Sequence, residues 1–101
     1  MLAMNERAVL YAREGIVGGR PAYARGGVTF ACRAEPCERR ESGANGQGHG
    51  LEVRLYAPPM QVHTGDRIVM GDGQALVVEE ARILNGPGGA HHVELLAGSE
   101  G

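Results

Sequence analysis

Hydrophobic and polar positions alternate with a period of two along much of this chain. Residues 28–35, VTFACRAE, set Val28, Phe30, Cys32 and Ala34 on one side and Thr29, Ala31, Arg33 and Glu35 on the other. That is the pattern of a strand with one buried face. Residues 51–57 repeat it, with Leu51, Val53 and Leu55 opposed by Glu52, Arg54 and Tyr56, and Pro58-Pro59 end the run. Proline has no donor for a ladder and biases the residue before it toward extended geometry. Residues 68–70 and 74–78 flank Asp72-Gly73, a dipeptide that between apolar runs signals a hairpin. Residues 79–84 include good helix formers, and Gly86 would end a short helix. Ala81 and Ile83, however, prolong the apolar pattern until 85–89 returns the chain to HHVELL, so the expectation is a long, bulged hairpin. Residues 7–14 suit either a strand or a short helix.

The inventory is five or six short strands and no firm helix, which predicts an all-β chain folded as a small antiparallel barrel or sandwich. Closing the sheet would hide its edges. With 101 residues, 43% hydrophobic and 22% charged, the chain is expected to form a single domain spanning 1–101. Four aromatic residues, Tyr11, Tyr23, Phe30 and Tyr56, make the core light. The 17 glycines fall in clusters, which reads as punctuation between strands.

One stretch does not fit an economical barrel. Residues 37–50, CERRESGANGQGHG, are polar and glycine-rich and have no periodicity. Ordering a loop residue costs on the order of 1–2 kcal/mol of backbone entropy. Unstructured connections of this length are uncommon unless they act or are disordered. The segment is therefore the first functional suspect, with Glu38, Arg39, Arg40, Glu41, Asn45, Gln47 and His49 as its polar groups.

The formal charge of −2 argues against a protein whose main task is nonspecific nucleic-acid binding. All ten basic residues are arginine, a residue suited to bidentate contacts with carboxylates and phosphates. The runs ERRE and EEAR mix signs and read as solvated surface. No apolar stretch approaches the ~20 residues of a membrane span, and residues 1–14 lack a signal peptide's apolar segment, which points to an intracellular chain without membrane contact.

Cys32 and Cys37 do not make a disulfide framework, and Cys-x4-Cys lacks the pairing common in structural zinc sites. A zinc site would need Cys32, Cys37, His49 and one of His91 or His92 brought together by folding. The plainer reading is an inward cysteine, a loop cysteine and no metal. His91-His92 places one imidazole inward and one outward on a strand. Gly65-Asp66-Arg67 resembles a turn in which an Asp side chain binds nearby backbone. No nucleophile elbow, phosphate loop or His-Glu-x-x-His occurs, so neither catalysis nor a cofactor is expected.

The order of GGVTFACRAEP, a long polar loop, EVRLYAPP, VHTGDRIVMGDGQALVVEE and GGAHHVELLAG resembles the head-to-tail stopper, or head-closure, proteins of long-tailed bacteriophages and gene transfer agents. The resemblance spans roughly residues 28–98; Ala75-Leu76 depart from it where the family usually has an aromatic. It implies a small β-barrel and a structural role in the virion neck, after assembly in the host cytoplasm. Copies would form a cyclic ring, six-fold or twelve-fold, beneath portal and adaptor proteins, retain packaged double-stranded DNA and dock the tail terminator. The 37–50 loop matches, in chain order, the family loop that occludes the channel. Arg7, Glu14, Arg54, Glu79, Glu80 and Arg82 are the candidate polar contacts of such a ring.

Two other classes fit the same pattern. An oligonucleotide-binding or SH3-like barrel would act as a nucleic-acid or peptide module, and would need aromatic residues interleaved with a basic surface. A capsid decoration or tail-tube protein would be a different virion component.

Overall fold

The computed structural model describes residues 4–37 and 52–99. Six of its eight strands close into an antiparallel barrel in the order β1-β4-β5-β8-β7-β6: β1 Glu6–Tyr11, β4 Val28–Cys37, β5 Glu52–Ala57, β8 Gly89–Ser99, β7 Ala75–Gly86 and β6 Arg67–Met70. The other two, β2 Arg13–Val17 and β3 Arg20–Tyr23, form a separate hairpin between β1 and β4 in the chain. The expected all-β barrel is therefore the fold, and closure decides against the sandwich.

Period-two alternation builds the core. Leu10, Phe30, Leu55, Ile68, Leu76 and Leu95 point inward, one from each barrel strand, and are buried. Ala8, Ala57 and Ala97 face inward beside them, since six strands enclose little space for side chains. Phe30 is the one aromatic residue of the core cluster; the tyrosines lie outside it.

Three sequence readings are corrected. Residues 7–14 are neither one helix nor one strand: β1 ends at Tyr11, and β2 starts after Ala12. The first turn of a helix would have buried no stripe here, whereas strand β1 is paired on both sides, to β4 and to β6. Val28 lies on the face assigned to it but is 61% exposed, because β4 begins at the barrel rim. Cys37 belongs to β4 and not to the loop: it pairs with Glu52, as Pro36 does with Val53. Pro36 is tolerated because its missing N–H lies on the β1 side, where β1 has already ended. Two residues earlier, the Ala34 N–H on that side donates to the Glu6 carboxylate at 2.9 Å.

Hairpin β2–β3 escaped the sequence reading altogether. Val17 and Arg20 pair across Gly18-Gly19, whose φ angles of 59° and 78° are those of a type I′ turn, open to glycine at no steric cost. Pro21 and Gly15 are poor strand formers, and they concealed the signal. The radius of gyration is 14.2 Å, against about 13 Å for a compact chain of this length. Two ribbons lie outside the closed ladder: this hairpin, and the far end of β7–β8, where pairing runs out to Gly86–Gly89 while β5 pairs β8 only as far as Val93.

The antiparallel order gives the barrel two unlike rims. One carries the 38–51 connection, the 71–74 turn, the start of β1 and the end of β8. The other carries β2–β3, the 58–66 segment and the β7–β8 tip. No helix among the described residues is long and apolar enough to cross a membrane.

Candidate functional site

Strand β8 lies between β5 and β7, and that arrangement gathers charges distant in sequence. Leu96 is opposite Arg54 on one side and Glu80 on the other; Glu94 is opposite Tyr56 and Arg82. The result is a polar patch on the outer wall in which Arg54 meets Glu94 at 3.3 Å and Arg82 meets Glu80 at 3.1 Å, with Leu96 among them. A hydrogen bond donated to the Tyr56 side chain and the charge of Glu94 push the Arg54 guanidinium pKa up, so it stays cationic. These pairs are exposed to solvent screening, and such pairs add little to stability. Their value lies in offering both signs of charge around an apolar centre.

Three of the six predicted contact residues, Arg54, Glu80 and Arg82, are thus brought together. The other three are elsewhere. Arg7 lies on β1 and, with Glu6, Met70, Asp72 and Gln74, lines a depression of about 510 Å³ at the rim of the 38–51 connection. Glu14 is on the β2–β3 hairpin, and Glu79 is the extra residue of a β-bulge between Val78 and Glu80. Glu94 and Leu96 were missed by sequence reasoning, because nothing in one strand tells which strands flank it. The predicted loop residues Glu38, Arg39, Arg40, Glu41, Asn45, Gln47 and His49 lie outside the described residues.

The base of the β2–β3 hairpin is fixed by a buried carboxylate. Asp66, 3% exposed, accepts the His63 N–H at 2.8 Å and the Arg13 N–H at 2.9 Å. The first bond is the local turn that Gly-Asp predicts; the second spans 53 residues and could not be read from the chain. The Asp66 backbone also takes the Val78 N–H at 2.8 Å, and Ala24 donates to Ala12 at 2.8 Å across the hairpin's foot. One residue thereby joins the hairpin, the 58–66 segment and β7.

The two cysteines cannot act together. Five positions apart on one extended strand, they are separated by about 16 Å and sit on opposite faces. Cys32 is fully buried, and burial, reinforced by the Glu6 carboxylate, pushes its thiol above the ordinary range. Among the described residues no three His, Cys, Asp or Glu side chains are grouped to hold a metal. His91 and His92 are neighbours on the β7–β8 ribbon, and neither is buried: His91 is exposed and His92 half-buried, because the ribbon there has passed the barrel. His91 Nε2 lies 3.3 Å from the Pro87 carbonyl, and His92 tilts against Tyr56 at 6.0 Å.

A thiol-specific reagent is therefore expected to modify the half-buried Cys37 in the native protein and Cys32 only after denaturation. Since the folded Cys32 pKa is the raised one, its contribution to stability is complete below about pH 8.5 and is lost as pH rises toward the folded value. Counting reacted thiols with and without urea at two alkaline pH values checks both statements.

No family profile, no curated protein and no solved structure matches the chain.

Proposed function

We propose that this chain is a structural protein of the virion neck, a head-to-tail stopper whose copies form a ring, close the DNA channel below the portal and adaptor, and offer the surface to which the tail docks. The observation that carries the reading is the length of one connection. Hairpin β2–β3 turns in two residues, β7–β8 in two and β6–β7 in four, yet the neighbouring strands β4 and β5, paired from Cys37 to Glu52, are joined by the fourteen residues 38–51. Folding requires no such length. A rigid barrel with a long polar excursion from one rim suits a body that packs in a ring and a segment that reaches the axis.

Ring closure needs heterologous contacts, with two different complementary surfaces on each subunit. The Arg54, Glu80, Arg82, Glu94 patch around Leu96 supports one of them, and Arg7 on the β1 wall lies across the barrel from it. The role is one of assembly, without catalysis.

Replacing 38–51 by a four-residue turn tests the proposal. Loop-closure entropy favours the shorter chain by about 1 kcal/mol, so the variant is expected to fold. In a head-assembly assay it should join the neck while filled heads lose DNA. If those heads retain DNA like the parent, the loop does not gate the channel.

A further inference from the structure

The β2–β3 hairpin and the barrel wall enclose a basic cleft that the ring reading does not use. It measures about 440 Å³ and is lined by Arg13, Arg20 and Tyr23 from the hairpin, by Gly65 from the 58–66 segment and by Arg67 and Val77 from the barrel. Arg13 and Tyr23 are cross-strand partners, and the Arg67 guanidinium lies over the Tyr23 ring, 5.4 Å from its centroid. Three cations thus converge from two parts of the fold. Among the described residues no carboxylate lines the cleft: Asp66, adjacent in sequence, is turned inward, with its two oxygens held by backbone N–H groups. Neither the Arg13 nor the Arg20 side chain is in an ion pair with a described residue. Residues 12–25 hold three arginines and one glutamate in a chain of net charge −2, so the positive field is local to this end of the molecule.

Like charges brought together repel unless an anion joins them. We propose that this cleft binds a phosphate ester of the nucleotide type, free or within a nucleic-acid strand. Guanidinium forks match phosphate oxygens in bidentate fashion. Arg13 and Arg20 bring two such forks to the cleft, which suit a group with several charged oxygens better than they suit a single carboxylate. The Tyr23 ring and the Val77 side chain give the attached sugar or base an apolar wall, the pairing of cation and aromatic surface by which single strands are held. The site stands apart from the stopper reading, since it occupies the rim opposite the 38–51 connection.

Fluorescence anisotropy of a labelled ten-nucleotide thymidylate strand with the full chain, at low and moderate salt, tests this, with inorganic phosphate and adenosine monophosphate as competitors. Arg20→Ala is expected to weaken binding about tenfold and to lower the salt slope by about one, and Arg13→Ala/Arg20→Ala to abolish it, while Arg25→Ala, outside the cleft, changes little. Competition by the small phosphates assigns the site to free esters, and its absence assigns it to the strand; either supports the proposal. No binding, equal losses in Arg20→Ala and Arg25→Ala, or binding of a labelled oligoglutamate that displaces the strand while neither phosphate does, overturns it. Far-UV circular dichroism confirms folding, and the exposed Arg20 substitution decides the matter should the double variant unfold.

Discussion

Asp66→Ala is expected to destabilise the protein by about 2–4 kcal/mol, since it leaves the N–H groups of Arg13 and His63 without their acceptor, at roughly 1–3 kcal/mol for each buried donor. Both bonds are only part-buried, and entering water offsets some of the loss. Asp66→Asn keeps one acceptor oxygen and turns an amide toward the second donor, so it should recover about half of the difference. Urea denaturation gives the sizes. Hydrogen exchange gives the place: amides of β2 and β3 should lose protection before those of the barrel, because the carboxylate ties down the hairpin foot while the barrel ladders close without it.

Leu55→Ala should cost about 2–5 kcal/mol through lost burial and the cavity left behind. Leu55 is fully buried in β5, between β4 and β8, in a core with one aromatic residue. For a domain whose whole stability is about 5–15 kcal/mol, that is a large part of the margin. Leu96→Ala is the contrast. Its side chain lies on the outer wall among Arg54, Glu80, Arg82 and Glu94, so the same truncation should shift the urea midpoint far less. Equal shifts for the two would mean that the inside and outside of β8 and its neighbours have been assigned wrongly.

What the sequence made legible was whatever one strand can say about itself. Alternation placed Phe30 and Cys32, then Val53 and Leu55, on buried faces, and Asp72-Gly73 located the β6–β7 turn, where the Gln74 N–H indeed donates to the Asp72 carboxylate at 2.9 Å. Pairing between strands far apart in the chain was out of reach, because an outward Arg54 reads the same whatever strand lies beside it. Hence Arg54, Glu80 and Arg82 were recognised as surface charges, but their union through Glu94 was not. The Gly18-Gly19 turn offered the signal for β2–β3, and the exposed Ile16 and Val17 beside it gave no alternation to support it. The cleft residues Arg13, Arg20, Tyr23 and Arg67 went unseen for the same reason: they become neighbours only when that hairpin folds back on the barrel.

The bulge in β7 also has a meaning for descent. Inward positions are even before it, Leu76 and Val78, and odd after it, at Ala81 and Ile83, where the ribbon leaves the core and Ile83 is exposed. Glu79 is the extra residue, and its carboxylate occupies the space that a Cβ at Gly98 would fill. Loss of the Glu79 codon would leave every later pairing with β8 in register, since the deleted residue has no partner of its own, yet it would remove the local bend and twist that a bulge imparts. Gain or loss of a single codon is thus enough to swing the β7–β8 tip to a new direction while the barrel stays as it is. Among chains that share this barrel, an indel at that position would change which neighbour the tip meets without a substitution anywhere in the core.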